Sequence, residues 1–225
     1  MREIIFDTET TGFDPNSGDR IVEIGCIELV NRMPTGETFH QYVNPEREVP
    51  EGAARIHGLT AEFLADHPVF ADVAEAFLAF VGESSLVAHN ADFDRKFINW
   101  ELENAGFAPI PATRMIDTLV IARSKFPGAQ NSLDALCKRL GVDNSHRALH
   151  GALLDCELLS EVYLELSGGR QAGLDLVQEN SGAGAGQNAG TKAKIRERRS
   201  FPPSQEERAA HADFLTKLKN PVWTR

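Results

Sequence analysis

The chain begins with a short apolar run that leads directly into two carboxylates. Three bulky apolar residues (4–6) precede Asp7 and Glu9, and a Thr-Thr-Gly turn follows at 10–12. Successive side chains of a strand alternate between its faces, so Asp7 and Glu9 project to the same side. Two such carboxylates repel each other unless a cation lies between them. The pattern predicts a buried strand that ends in a divalent-metal site with oxygen ligands; the alternative is a strand that ends in a solvated acidic turn.

Composition limits the class of protein. With 225 residues, 42% of them hydrophobic, the chain can bury one sizeable core plus a smaller or disordered part. It contains no apolar run long enough for a membrane span and no start typical of a signal peptide, which predicts a cytoplasmic protein without membrane contact. Three scattered cysteines fit reduced core residues. The net charge of -10 argues against a protein that coats duplex nucleic acid, but leaves open an enzyme that grips only a strand end.

The first 60 residues favour an antiparallel start. The opening strand is followed by predicted strands at 21–30 and 38–43, with turns at 13–20 and 34–36. Residues 49–60 are interpreted as a loop that carries His57 and ends at an N-cap threonine, Thr60.

The next hundred residues alternate between helices and short strands. Helical patterns cover 70–81, a start within 89–98, 132–140 and about 151–166, with Asn131 as the predicted cap of the third and Gly141 as its stop. Short strands are predicted at 86–88 and at the start of 115–122. Together with the antiparallel start, this alternation predicts an α/β fold, a mixed sheet flanked by helices.

The globular pattern ends at residues 167–169, a Ser-Gly-Gly sequence. Residues 180–190 are of low complexity and cannot bury a core. The predicted organisation is a globular domain at 1–169, a flexible linker at 170–191 and a C-terminal tail at 192–225. The tail holds a basic run, a possible short helix at 206–219 and a tryptophan, which is typical of a segment that docks into a partner.

Four acids and one histidine carry the chemistry. They lie in three blocks: D-x-E at 7–9, H-N-x-x-F-D at 89–94 and H-x-x-x-x-D at 150–155. Taken singly, Asp94 and Asp155 could each simply favour the start of a helix. Together the blocks resemble the DEDD superfamily of 3′–5′ exonucleases, in its histidine-bearing branch. Longer phrases, such as those at 126–128 and 131–137, and the layout of domain, linker and tail are similar to the proofreading (epsilon) subunits of bacterial DNA polymerase III.

The resemblance implies a ribonuclease H-like fold with a five-stranded mixed sheet, and phosphodiester hydrolysis with two divalent ions, Mg2+ or Mn2+. It implies that Asp7, Glu9 and Asp155 hold the first ion, that Asp7 bridges to the second, and that Asp94 acts through the waters of that ion. His150 is the implied general base, since the pKa of an unperturbed histidine lies near neutrality.

The implied substrate is the 3′ end of single-stranded DNA. The residues expected to contact its terminal nucleotide are Asp7, Thr8, Glu9, His57, Phe93 and Asp155. The chain departs from the epsilon pattern at one position. That pattern places a glutamate five residues before this histidine, whereas Gly52 stands there in this chain, next to Glu51.

The resemblance also implies partners. Gln171, Leu174 and Leu176 match the Q-x-x-L-x-L peptides that dock on the bacterial sliding clamp, although so short a motif also occurs by chance. The polymerase catalytic (alpha) subunit is expected to bind the tail through Phe214, Leu215, Leu218 and Trp223. A small theta-like accessory subunit is a further possible partner.

The predicted function is therefore a 3′–5′ exodeoxyribonuclease that proofreads as a subunit of the replicative polymerase. One alternative is a stand-alone exonuclease for RNA ends, which the flexible linker and the apolar tail disfavour. Another is a scaffold that bridges polymerase and clamp without catalysis, which the complete set of acids disfavours.

Overall fold

The computed structural model describes residues 1–147, 149–169 and 203–217. The strands are β1 (Arg2–Thr10), β2 (Ile21–Val30), β3 (Met33–Tyr42), β4 (Ser85–Ala88) and β5 (Met115–Asp117). The helices are α1 (Glu51–His57), α2 (Ala61–Leu64), α3 (Phe70–Val81), α4 (Ala91–Asn104), α5 (Thr118–Lys125), α6 (Leu133–Leu140), α7 (Ala152–Leu166) and α8 (Gln205–Thr216). Short 3-10 turns lie at Pro15–Ser17 and Ala112–Arg114.

The five strands form one mixed sheet in the order β3-β2-β1-β4-β5. β1 pairs antiparallel with β2 and parallel with β4, β2 pairs antiparallel with β3, and β4 pairs parallel with β5. The antiparallel start and the mixed five-stranded sheet predicted from the sequence are confirmed. β1, which carries the two acids, lies at the centre.

The alternation of β1 divides its apolar residues between two cores. Ile4 and Phe6 pack on one face with α3 and α4, where Phe77 and Phe97 are fully buried. Ile5 packs on the other face with α7. Helices therefore cover both faces of β1, and each face meets the start of a different helix at the end of the strand.

Two local predictions in the first 60 residues are wrong. The hairpin between β2 and β3 turns at Asn31 and Arg32, with φ of 53° and 67°, rather than at 34–36. Pro34 lies within β3 instead, because β3 is an edge strand, where a missing N–H is tolerated. Residues 51–57 form α1 rather than a loop, and Gly58, with φ of 77°, ends this helix.

The later elements follow the sequence pattern closely. α3 has the predicted bounds, and α7 begins within one residue of the predicted start. The cap of α6 is Ser132 rather than Asn131, since the Ser132 hydroxyl accepts from the Ala135 N–H at 3.3 Å. Asn131 is buried and donates to the carbonyl oxygens of Phe126 and Ala129. No helix in the described ranges has the length and apolar character needed to cross a membrane.

Gly25 allows α7 to approach the sheet. It lies opposite Asp7 in the β1–β2 ladder, and a Cβ at this position would stand 2.4 Å from the backbone carbon of Ala152. The thiol of Cys156 also donates to the Gly25 carbonyl at 3.2 Å. The start of α7 therefore lies against β2 at a distance that only glycine permits.

We expect Gly25→Ala to lower the free energy of unfolding by about 1–3 kcal/mol, because the added methyl group must displace backbone rather than a flexible side chain. Thermal unfolding of the full chain measures this as a lower midpoint, by roughly 2–4 °C per kcal/mol. Gly52→Ala is the matched control, since its Cβ would meet no atom within 4 Å. Equal midpoints for the two variants would contradict the close approach.

Candidate active site

The acids of β1 stand where the strand leaves its neighbour. β4 pairs with β1 only from Glu3 to Ile5, so the following residues are open on that side. Beyond the end of β4, α4 begins, with Asn90 in the left-handed conformation before it. Asp7, Thr8 and Glu9 therefore lie at an edge of the domain where a helix start can reach them.

Asp94 is held against β1 by Thr8. One oxygen of Asp94, Oδ1, accepts from the Thr8 N–H at 3.0 Å and from the Thr8 hydroxyl at 2.7 Å. Both residues are buried. Thr8 points to the α4 side of the sheet because it alternates with Asp7 and Glu9, and its contact fixes the carboxylate of the second motif beside the first.

Asp155 reaches the site from the opposite helix. It lies in the first turn of α7 and is buried, and Glu9, His150 and Asp155 each offer a ligand atom within 4.8 Å of the other two. Asp7 and Asp94 are not part of that group, but both carboxylates interact electrostatically with its acids. The structure thus brings together the four acids and the histidine of the three sequence blocks.

The pKa values of three of these acids are raised. Burial raises the pKa of Asp7 well above its ordinary range, and the charges of Asp94, Glu9 and Asp155 raise it further. Burial, together with Asp155 and other acids, raises the pKa of Glu9 to about 8. Burial also raises the pKa of Asp94 to about 7, although its hydrogen bonds from Thr8 oppose this.

The donor set fits hard divalent ions. Carboxylate oxygens predominate, and their mutual repulsion in a buried place is relieved by a cation that binds several of them. The sequence blocks predicted this type of site. The division of Asp7, Glu9, Asp94 and Asp155 between two ions stays a prediction.

Arg147 is a member of the site that the sequence blocks did not indicate. Its Nε donates to Asp155 Oδ1 at 2.5 Å and its Nη2 to Asp155 Oδ2 at 2.6 Å. Nη2 also donates to His150 Nδ1 at 2.8 Å, and Nη1 to Asp134 Oδ1 at 2.8 Å. Burial disfavours the charge of Arg147, but its bonds with Asp155 and Asp134 outweigh this and raise its pKa. The feature of the sequence that could have indicated Arg147 is its position three residues before His150.

A largely apolar cavity of about 460 Å³ opens beside the acids. Phe93 and His57, two of the predicted substrate contacts, line it together with Thr8, Glu9 and Gly52. His57 is buried; its Nδ1 accepts from the Leu59 N–H at 3.1 Å, and its Nε2 makes no hydrogen bond with the described residues.

The residue next to Gly52 does not replace the glutamate of the epsilon pattern. Glu51 is exposed and pairs with Arg55 one turn further along α1, whereas Gly52 itself lines the cavity. The wall of the cavity at Gly52 therefore carries no side-chain carboxylate.

The predicted partner segments are described only in part. α8 begins with a capping box formed by Ser204 and Glu207, and near its end Phe214 is 54% exposed and Leu215 is partly buried. The other residues predicted to bind partners lie outside the described residues: Gln171, Leu174, Leu176, Leu218 and Trp223.

Comparison with known proteins gives consistent matches. The sequence model of an exonuclease family matches residues 4–163. The DNA polymerase III subunit epsilon of Rickettsia felis is 50% identical over 226 residues, which cover 97% of each chain. The protein of the same name from Pasteurella multocida is 41% identical over 225 residues, covering 96% of this chain and 89% of its own.

Solved structures agree on the fold. Exonuclease X, in complex with 5′ overhanging duplex DNA, superposes with a TM-score of 0.59 at 28% identity, covering 73% of this chain and 90% of its own. The nuclease domain of 3′hExo, described as a DEDDh family member bound to rAMP, gives a TM-score of 0.62 at 21% identity, with the same coverage. The predicted ribonuclease H-like fold is confirmed.

We expect the chain to lose stability as the pH rises from about 4 to about 8 when divalent ions are removed with EDTA. Glu9 and Asp94 keep protons in the folded chain up to pKa values of about 8 and about 7, against 4.5 and 3.8 when unperturbed. The folded chain then binds more protons than the unfolded chain, so rising pH favours unfolding in this window, and the penalty is absent below it.

Thermal midpoints of the native chain and of Glu9→Gln, measured at several pH values, test this expectation. The difference between the two chains reports the titration of Glu9 together with that of the acids it interacts with, Asp7 among them. The native midpoint should fall relative to the variant as the pH rises, and saturating Mg2+ should reduce the fall. A difference that does not change with pH would contradict it.

Proposed function

Because the chain belongs to the exonuclease family and, within it, to the epsilon subunits of DNA polymerase III, we propose that it is a metal-dependent 3′–5′ exonuclease that proofreads newly made DNA. The observation that carries this proposal is the convergence of Asp7, Glu9, Asp94 and Asp155 with His150 at one edge of the sheet. In a domain without catalytic activity, so crowded a cluster of buried and half-buried acids would only lower the stability.

The acids prepare the site for cations. Asp7, Glu9 and Asp155 would hold one ion, Asp7 would also hold a second, and Asp94 would act largely through the waters of the second ion. Mg2+ and Mn2+ suit these oxygen ligands. When bound, such ions stabilise the charge that develops on the attacking and leaving oxygens of the phosphodiester. Thr8 keeps Asp94 in place through two hydrogen bonds.

His150 would accept the proton of the attacking water. It lies two residues before the start of α7, and its side chain is 47% exposed, so that water can reach the ring. Imidazole is a common general base in enzymes, because it can both accept a proton and release it to solvent.

The cavity would receive the terminal nucleotide. Its apolar lining includes Phe93, on which a base can stack, and His57, whose Nε2 is free of hydrogen bonds within the described residues and could bind the sugar or phosphate. The similarity to proteins named DNA polymerase III subunit epsilon favours DNA over RNA as the substrate.

The tail would connect the enzyme to the replication machinery. We place the polymerase contact in 192–225, with Phe214 and Leu215 of α8 as part of it, and a clamp contact in the predicted linker 170–191. A theta-like subunit would be a third partner. Work within this assembly would place the protein in the bacterial cytoplasm.

We expect the native chain with Mg2+ or Mn2+ to shorten 5′-labelled single-stranded DNA from its 3′ end, and to act at least about tenfold more slowly on RNA of the same sequence. Asp7→Asn combined with Glu9→Gln should abolish hydrolysis, because both ions would lose ligands. His150→Ala should lower the rate by about 10²–10⁴-fold, the usual contribution of a positioned base.

Asp92→Asn is the matched control for the acid substitutions, since within the described residues this exposed aspartate pairs with Arg95 one turn away and with no other basic residue. It should leave the rate unchanged. A preference for RNA would support the stand-alone RNA exonuclease, and inactivity on both substrates would support the scaffold.

Deleting residues 170–225 should leave the hydrolysis of single-stranded DNA unchanged while abolishing co-purification with the polymerase catalytic subunit. The reason is that the acids, His150 and the helices that hold them all lie before residue 170. Size-exclusion chromatography of mixed proteins measures the association. Retained association would contradict the assignment of the tail.

A further inference from the structure

Arg147 places its positive charge against Asp155, one of the proposed ligands of the divalent ion. Its guanidinium engages both oxygens of Asp155, at 2.5 and 2.6 Å, and the two side chains are only 7% and 6% exposed. Ions such as Mg2+ and Ca2+ bind carboxylate oxygens at about 2.0–2.6 Å. An ion that used Asp155 from this side would have to displace a guanidinium nitrogen. One that used a remaining lone pair would still stand close to a full positive charge.

The same guanidinium controls the ring of His150. Arginine has only donors, so His150 Nδ1 must accept from Nη2 at 2.8 Å. A neutral ring with an accepting Nδ1 carries its proton on Nε2. Neither nitrogen then has a free lone pair, and the ring cannot take a proton from water while Arg147 occupies this position.

Arg147 has a second anchor at the rim of the site. Its Nη1 donates to Asp134 on α6, whose side chain is 59% exposed and also accepts from the side-chain amide of Asn144 at 3.1 Å. Arg147 can therefore leave Asp155 and His150 while it keeps an ion pair with Asp134.

We propose that Arg147 is an internal counter-cation that competes with the divalent ion for Asp155 and releases His150 as a base when the ion displaces it. This positioning role rests on the proposed function, because it takes Asp155 as a metal ligand and His150 as the base. Displacement of Arg147 would couple metal binding to the freeing of His150 Nδ1. Asp155 remains paired with one cation or the other, and the base becomes available only when the metal is bound.

The test uses the full chain and Mn2+ alone as the probe, with binding followed by the electron paramagnetic resonance signal of free Mn2+. Arg147→Gln should bind Mn2+ at least about fivefold more tightly than the native chain, because the ion no longer displaces a guanidinium. Arg139→Gln is the matched control. It removes the same charge from a residue that contacts the Gln130 carbonyl and the Phe126 ring instead, and it should leave the affinity unchanged.

Two further measurements distinguish competition between Arg147 and the ion from a purely structural role of Arg147. In EDTA, Arg147→Gln should unfold at a lower temperature than the native chain, and saturating Mn2+ should close that gap. In 15N NMR of the imidazole rings, with His150→Gln to assign the signal, the native chain without divalent ions should show a proton on Nε2 of His150. Arg147→Gln should shift that signal, and Arg139→Gln should not.

An unchanged Mn2+ affinity for Arg147→Gln would overturn the proposal. A weaker affinity would also overturn it, because it would show that Arg147 holds Asp155 in position for the ion. If Arg147→Gln does not fold, Arg147→Lys carries the same test. Its ammonium cannot span both carboxylate oxygens, so its affinity for Mn2+ should still exceed that of the native chain.

A failure of the underlying function would look different. In that case the native chain would not bind Mn2+, or Asp7→Asn with Glu9→Gln would leave binding unchanged. If binding depends on these acids but not on Arg147, only the present inference fails.

Discussion

The crowding of four carboxylates at the end of β1, with Asp94 and Asp155 buried and Asp7 and Glu9 half-buried, carries an electrostatic cost that the rest of the domain must overcome. Burial and mutual repulsion raise the pKa values of Asp7, Glu9 and Asp94. Apolar packing on both faces of the central strand supplies the compensating stability. The apolar cores on the two faces of β1 thus stabilise a fold in which the acids repel one another.

The geometry of this cluster depends on two close contacts, one on each face of the sheet. On one face, Thr8 fixes Asp94 at the start of α4. On the other, Gly25 lets the start of α7 approach, which brings Asp155 towards Glu9. Neither residue need touch a substrate for its loss to affect catalysis, because each determines where a carboxylate stands.

The sequence predicted those parts of the structure that depend on local pattern. The shared face of Asp7 and Glu9 follows from strand periodicity, and the bounds of α3 follow from helical periodicity. Its failures were also physical. Proline is typical of turns, so the sequence pattern favours a turn at Pro34. A strand accepts proline at this position only because β3 lies at the edge of the sheet, and that is a property of the whole sheet.

The position of Arg147, three residues before His150, did not by itself reveal its contacts, for a related reason. Its partners, Asp134 and Asp155, lie 13 and 8 positions away on either side, and the loop path that joins them is set by the packing of α6 against α7. A motif records which residue types recur at fixed spacing. It does not record which charged side chain folds back onto them.

The position of α7 in the chain has a consequence for synthesis on the ribosome. This helix is the last element described in the globular domain, and it supplies both Asp155 and the packing that covers one face of β1 and β2. Strands β1 to β5 leave the ribosome earlier, but the proposed metal site lacks Asp155 until residues 152–166 have followed. If Asp155 is a metal ligand, the order of translation itself delays nuclease activity until the domain is complete.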